Sequence, residues 1–507
     1  MSAMETGANK KIGLNIEIKD FGPIIEGRIS LKPLTLFVGP NNSGKSYAAM
    51  LIHSIYETYL PTIWLKNLSP DYPSGFLFFR DLFFRDLGLH TIQKNFTDEQ
   101  TSLKKQINDL EAEEESEISK LLLDKINTKI FDKLYEQRLS KEISRSYASP
   151  LNEMIRFGKK SFTLKIDFDS DDVRIACTKK QLKIERYPES DAKMKIKLAD
   201  DKDSVYIKMS EDDEDPFWIS SGWKEDEMPR LMDAIIRLYA PNILEKSMIP
   251  CYYLPAARSG ILQGHKALTA SMMRNAPLAG IEKFSEIPTF SGVVSDFISS
   301  IIDMPEREGS FYPLAKEFEE ELIKGEIVVR TPADYLYPEI RYKYQDVEIP
   351  LHRASSTVSE LAPFFLYLKY IIEPGSTLII EEPEAHLHPA NQRILAKYLV
   401  RLIRNGAYII ITTHSEYLLE QLSNFIMLSK IEPKKRAEKY GYAEDDYLER
   451  DELAAYVFNL DKTKIGSRIA EVEITEEDGI SQEEFLKVHE VLYDEIIRLE
   501  RDLDGDM

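Results

Sequence analysis

The 507 residues are 43% hydrophobic, enough to bury a substantial core, and the length suggests two to four structural units. A formal net charge of -21 and a pI near 5.0 argue against a protein that coats nucleic acid by bulk electrostatics, because phosphate binding needs concentrated Lys and Arg. Cys177 and Cys251 stand far apart, without a CxxC or Cys/His cluster, which argues against a disulfide framework or a structural zinc site and fits a reducing cytoplasm.

The N-terminal stretch MSAMETGANKKIGLNIEIKDFG has no apolar h-region, and no later apolar run approaches the roughly 20 residues that span a bilayer. A soluble cytoplasmic protein is expected, with any membrane role supplied by a partner. Residues 12–38 read as two or three strands: Leu14, Ile16 and Ile18 alternate with polar residues, and Leu34 to Val38 form a short buried run.

That run ends in Gly39-Pro40-Asn41-Asn42-Ser43-Gly44-Lys45-Ser46, which matches G-x-x-x-x-G-K-[ST] between a strand and a predicted helix, Tyr47 to Tyr56. Glycines let the backbone wrap phosphates, so that successive N–H groups and the helix N-terminus face the negative charge. Lys45 is then placed to reach the β/γ oxygens of ATP, and Ser46 to coordinate Mg²⁺.

From 97 to 147 the period becomes helical, with Leu103, Ile107 and Leu110 on one face and Ile118, Leu122, Ile126, Ile130 and Leu134 spaced by four. This predicts a helical pair with arms of about 22 to 38 Å, too short for a long coiled-coil tether. Residues 161–209 alternate in period two, which predicts an antiparallel meander. Its outward Lys165, Lys183, Lys195, Lys197 and Lys208 could meet a phosphate backbone, although a solvated sheet face explains them better beside so many acids. The acidic SEDDEDP, residues 210–216, reads as a loop closing this insertion, and α/β patterning returns near residue 249.

Residues 353–371, RASSTVSELAPFFLYLKYI, place Ser355 and Ser356 ahead of a strongly apolar helix. Such a helix start is an anion site or an ordinary N-cap, with Ser356 or Thr357 capping and Glu360 completing a capping box. STLIIEEPEAHLHP, residues 376–389, is a buried strand followed by two carboxylates. In a nucleotide site Glu381 would help hold Mg²⁺, and Glu382 would orient and deprotonate the attacking water. The pair could instead serve a nuclease metal or be merely solvated, but a phosphate loop in the same chain favours ATP hydrolysis. A helix from Pro389 to Arg404 and a strand from Tyr408 to Thr413 follow, and they bring His414 to the carboxyl edge of the same parallel sheet, within reach of a γ-phosphate.

The ordered set GPNNSGKS, ASSTVSELAP, LIIEEPEAHLHP and IIITTHS resembles the ABC-type ATPase heads of the RecF and SMC group. It looks closest to the stand-alone prokaryotic AAA-family ATPases grouped with the OLD and AbiEii-like proteins, several of which act in antiphage defence. The opening IEIKDFGPIIEGRISLKPLTLFVGPNNSGKS, YLPAARSG (253–260) and VEITEEDGISQEEF (472–485) are similar too.

The resemblance implies an α/β fold: an ABC-type P-loop head, a mixed sheet with flanking helices, interrupted by a helical plus antiparallel-β insertion. Its parts would be residues 10–94, the insertion 95–240, residues 241–430, and a C-terminal α/β appendage, 431–507. It also implies a homodimer closed on ATP, with Ser355 and Ser356 of one subunit facing the γ-phosphate held by Lys45 of the other, and His388 near the dimer seam rather than in an HxH metal site with His386.

Thr357-Val358 depart from the usual signature glycine, Glu381 replaces the commoner Asp, and no Q-loop glutamine stands out. Arg258 and Arg353 are candidates for phosphate or partner contacts, or for salt bridges within the head. No acidic Toprim pattern follows His414, so no nuclease activity is expected of the chain itself. The expected role is an ATP-driven switch for a separate nuclease or toxin-like effector. The alternative is a DNA-binding repair or chromosome ATPase. A transporter ATPase fits least, because the loop and signature are widely separated.

Overall fold

The computed structural model describes residues 13–59, 96–264, 290–330, 339–482 and 490–500, apart from 113, 169–170, 179–180, 188–192, 210–218, 225, 245–248 and 462–464. The start of the chain, residues 60–94 of the expected N-terminal part, the acidic loop at 210–216 and the last residues of the VEITEEDGISQEEF motif lie outside these. The chain divides into two compact units, Met1–His53 with Cys251–Met507, and Ser54–Pro250.

The first unit opens with β1 (Leu14–Phe21), β2 (Ile24–Ser30), β3 (Leu34–Val38) and the start of helix α1 (Lys45–Tyr59). In β1, Leu14, Ile16 and Ile18 are buried while Glu17 and Lys19 are exposed, the alternation of a strand with one wet face. All five residues of β3 are buried, as expected of a strand covered on both faces.

In the second unit the expected helical pair is α2 (Thr97–Asn108), burying Leu103 and Ile107, and α3 (Lys120–Phe131), burying Leu122, Ile126 and Ile130. A short strand, β4 (Glu115–Glu117), lies between them. The chain continues through a π-helical turn, Asp132–Leu139, into α4 (Ser140–Ser146).

The strands β5 (Ser161–Phe168), β6 (Asp171–Thr178) and β7 (Leu182–Arg186) pair antiparallel in chain order. Then β8 (Met194–Leu198), β9 (Ser204–Met209) and β10 (Ile219–Gly222) form a separate sheet in the order β10-β9-β8-β4. The single predicted meander is thus two sheets, because β8 finds its second neighbour in β4, between the helices, a long-range pairing that alternation does not encode. Lys165, Lys195, Lys197 and Lys208 are half-buried and Lys183 is exposed. Helix α5 (Met228–Leu244) closes the unit over Leu231, Met232, Ile235 and Ile236.

The first unit resumes with β11 (Cys251–Leu254), α6 (Gly292–Ile302), α7 (Tyr312–Ile323) and the antiparallel strands β12 (Glu326–Arg330), β13 (Glu339–Tyr344) and β14 (Val347–Pro350). Then come α8 (Ser356–Tyr370), β15 (Thr377–Glu381), α9 (Pro389–Arg404), β16 (Tyr408–Thr413) and α10 (Glu416–Ser429). The last strands are β17 (Leu453–Leu460), β18 (Ser467–Glu471), β19 (Ile474–Thr475) and β20 (Gly479–Ile480). Helix α8 is buried from Val358 to Lys369 and so runs through the core rather than over it.

The strands of this unit's main sheet follow the order β11-β15-β16-β3-β17-β18-β2-β1, parallel from β11 through β17. Pairs β17/β18 and β1/β2 are antiparallel, which makes the sheet mixed, with helices flanking it as the fold class predicts. Residues 431–507, expected as an appendage, in fact supply β17 and β18 to this sheet: β17 pairs with β3 and β18 with β2. The run LAAYVF is apolar on both faces and is satisfied only inside a covered sheet.

Candidate functional site

After β3 the chain turns sharply. Gly39 has φ 139°, Asn42 φ 61° and Gly44 φ 95°. A Cβ on Gly39 would stand 2.8 Å from the Phe458 carbonyl oxygen, and one on Gly44 2.9 Å from Pro23 Cγ, so both glycines are required by conformation and by space. Gly39→Ala should destabilise the first unit by about 1–3 kcal/mol through forced backbone strain, read as a lower thermal unfolding midpoint. An unchanged midpoint would mean that β17 yields freely to the loop.

Lys45, the first residue of α1, is buried, and its Nζ donates to the carbonyls of Gly39 and Pro40, both at 2.9 Å. Burial pushes its ammonium down to about 8, opposed by Glu382, Glu384 and Glu381 in that order. Ser46 is exposed on the first helical turn, as are Pro40, Asn41 and Asn42 on the loop. Ser43 and Gly44 are buried; the Ser43 carbonyl accepts the Ser467 hydroxyl, while Ser43 Oγ makes no hydrogen bond.

Glu381 ends β15 and is buried; its Oε1 accepts the Tyr253 hydroxyl at 2.7 Å and its Oε2 the Ala256 amide at 3.0 Å. Glu382 leaves the strand at φ 44°, with 45% of its side chain exposed, and its Oε1 lies 3.8 Å from His414 Nε2. Strand β16 lies between β15 and β3, so His414, just beyond its end, follows the strand that separates the loop from the Glu pair. Burial first, then the Lys45 charge, lowers the His414 imidazole below its usual range, against the pull of Glu382.

Arg258 holds this edge together. It is fully buried, and Nη1 donates to the Glu381 carbonyl at 2.7 Å and to the Pro255 carbonyl at 3.2 Å. Nη2 reaches the Glu382 carbonyl at 3.4 Å and Nε the Glu360 carbonyl at 3.0 Å, with the Glu360 carboxylate 3.8 Å away. Of the two expectations for Arg258, the contacts lie within the head: the Glu360 carboxylate at 3.8 Å and four backbone carbonyls. Arg353 is exposed just before α8.

The N-cap of α8 is Ser355, whose Oγ accepts from the Val358 amide at 3.3 Å, rather than Ser356 or Thr357. Glu360 forms no capping box, because its carboxylate accepts the Ser259 hydroxyl and faces Arg258. Ser355 and Ser356 are both exposed. Thr357 Oγ1 donates to the His386 carbonyl at 2.9 Å. His388 caps α9, its Nδ1 accepting from the Ala390 amide at 3.3 Å. Among the described residues no group of three His, Cys, Asp or Glu side chains is placed to hold a metal ion, and no helix is long and apolar enough to cross a membrane.

The arrangement joins a glycine-turned loop, a buried cation, a carboxylate pair and a histidine at one end of a parallel sheet. The family model of an AAA ATPase domain matches residues 14–419. The chain belongs to that family.

No curated protein is similar to this AAA ATPase domain at a significant level. Among solved structures, it is similar to an SMC head bound to the C-winged helix domain of ScpA, at 13% identity over 91% of this chain and 98% of that one, with a TM-score of 0.36. An SMC head domain from Thermotoga maritima gives 12% identity, the same coverages of 91% and 98%, and a TM-score of 0.30. An Smc head with an extended coiled coil, bound to the C-terminal domain of ScpA derived from Pyrococcus furiosus, gives 13%, 95%, 99% and 0.34. Likeness at these TM-scores does not define a shared fold.

Proposed function

We propose that this ATPase domain is an ABC-type head that binds Mg-ATP at Gly39–Ser46 and hydrolyses it at Glu382. The observation that carries the reading is the convergence of Lys45, Glu382 and His414 at one sheet edge. The loop suits a triphosphate: Lys45 is held by two carbonyls that a phosphate can replace, and the Ser43 hydroxyl makes no other hydrogen bond. Ser46 would hold Mg²⁺, with Glu381 contributing the lone pairs that Tyr253 and Ala256 leave free, since Mg²⁺ sites borrow oxygens from the substrate rather than from an all-protein cage. Bound with ATP, the ion supplies charge neutralisation at the phosphates. Glu382 is the base for the attacking water, and His414 faces the γ-phosphate as a neutral imidazole.

On this reading ATP closes two copies against each other, with the exposed Ser355 and Ser356 of one meeting the γ-phosphate held by the other. Closure then signals to a separate effector, a nuclease or toxin-like protein of the cytoplasm, in antiphage defence or toxin control. Two free, buried cysteines accord with a reducing compartment. Four of the five candidate lysines of the insertion are half-buried.

The test is turnover and mass together. Wild-type protein should hydrolyse ATP and stop when EDTA removes Mg²⁺. Glu382→Gln with ATP should double in mass by sedimentation, while Lys45→Ala stays monomeric. ATP turnover no faster than buffer, or one mass in every state, would defeat the proposal.

Protonation of Lys45 gives a second check. Only the ammonium form attracts phosphate, and burial pushes it down to about 8. ATP affinity should therefore hold below pH 8 and weaken above it, with Kd rising about tenfold between pH 7 and pH 9. Because bound phosphate favours the charged form, calorimetry in buffers of different ionisation heat should show proton uptake at pH 8.5. A flat Kd across this range would show that Lys45 stays charged throughout.

A further inference from the structure

Glu384 has no task in the reading above, yet its carboxyl is buried beside the reacting edge. Oε1 accepts two hydrogen bonds, from Thr413 Oγ1 at 2.6 Å and from the His414 backbone amide at 2.9 Å, while Oε2 is buried without a hydrogen-bond partner. A lone buried oxygen is costly, so the two bonds at Oε1 must be worth keeping.

The surroundings show what those bonds fix. The Glu382 amide donates to the Thr412 carbonyl at 2.9 Å, and the Thr412 hydroxyl lies 3.3 Å from the same amide. The turn after β15 and the end of β16 are therefore latched twice, once at Glu382 and once at Glu384. Between the two latches sits the 3.8 Å approach of Glu382 to His414. Thr413 Oγ1 also accepts from the Ser415 amide at 3.0 Å, and Ser415 caps α10, so the second latch continues into the helix behind the histidine.

We infer that Glu384 is a positioning residue that sets His414 against Glu382 and the γ-phosphate by holding the His414 amide. The same turn carries His386, whose carbonyl is bonded by Thr357 at the start of α8, so a change at the exposed serines would reach His414 through Glu384. This inference rests on the proposed ATPase site for its consequence in turnover, but not for the contact itself.

The contact is tested first without nucleotide. By hydrogen–deuterium exchange mass spectrometry over residues 408–418, the His414 amide should exchange at least about tenfold faster in Glu384→Ala than in wild type. Glu384→Gln keeps an acceptor at Oε1, and burial already pushes the native carboxyl towards its neutral form, so its exchange should match wild type.

In turnover, Glu384→Ala should lower kcat by about 10- to 100-fold with ATP Kd changed less than about threefold, and Glu384→Gln should restore kcat to within about threefold. Adding Glu384→Ala to His414→Ala should cost nothing further, because the first acts through the second. Multiplying losses in the double variant, or wild-type amide exchange in Glu384→Ala, would overturn the inference. If Glu384→Ala does not fold, Thr413→Val carries the test, with a loss in kcat of about three- to tenfold expected and a wild-type kcat overturning it. A wild-type protein without ATPase activity would instead sink the reading of the site, while the exchange result would still stand or fall alone.

Discussion

Glu382→Gln should turn over ATP about 10²- to 10⁴-fold more slowly than wild type while binding ATP at least as tightly. Glu382 is the more exposed carboxylate of the pair, whereas both oxygens of Glu381 are already engaged by Tyr253 and Ala256. On the proposed reading Glu382, the solvent-exposed carboxylate of the pair, takes the proton from water. The amide keeps the size of the side chain and removes its basicity. It also removes a negative charge that faces Lys45, so the loss should fall on kcat and leave Kd unchanged or lower. Steady-state phosphate release with fluorescent-nucleotide titration separates the two. Wild-type turnover in this variant would move the base to another residue.

Arg258→Leu should destabilise the first unit by about 3–5 kcal/mol and abolish measurable turnover with it. The guanidinium serves four carbonyls, those of Pro255, Glu360, Glu381 and Glu382, all at a buried edge. Leucine fills part of the volume but removes one donor from each of those oxygens, of which the Glu382 carbonyl keeps a second, the Ala385 amide at 3.0 Å, and it leaves the Glu360 carboxylate without its cation. Arg258→Lys should rescue little, because one ammonium cannot span the positions that a planar fork reaches. Thermal unfolding of both variants decides it; a lysine variant as stable as wild type would show that charge alone, and not the fork, is what this site needs.

Much of the site was legible because its parts are local. The phosphate loop, the Glu pair and His414 each sit within a few residues of a strand end, and a short apolar run followed by those residue types announces both the element and its edge. Ser355 was legible as a helix start but not as the capping residue, since Ser355, Ser356 and Thr357 all suit that place and only the backbone chooses. For Arg258 the sequence offers a salt bridge within the head beside a phosphate or partner contact, but not the choice between them: most of its partners are carbonyls after β11, on β15 and on α8, and carbonyls leave no trace in side-chain pattern. Glu384 was missed altogether. The letters EEPE suggest one more solvated acid, and only the pairing of β15 with β16 brings Thr413 and the His414 amide onto it. The same cause hid the true place of β17 and β8, whose periods are plain while their neighbours are not.

The placement of β17 has a consequence for how the protein is made. The strand that leads into the phosphate loop gains one of its two neighbours from residues 453–460, and β2 is joined by residues 467–471. While the ribosome is still translating the middle of the chain, β3 has an open edge and the Ser43 carbonyl lacks the Ser467 hydroxyl. The sheet around the loop therefore closes only after residues 453–471 have been made, and until then an apolar edge needs shielding from neighbouring nascent chains.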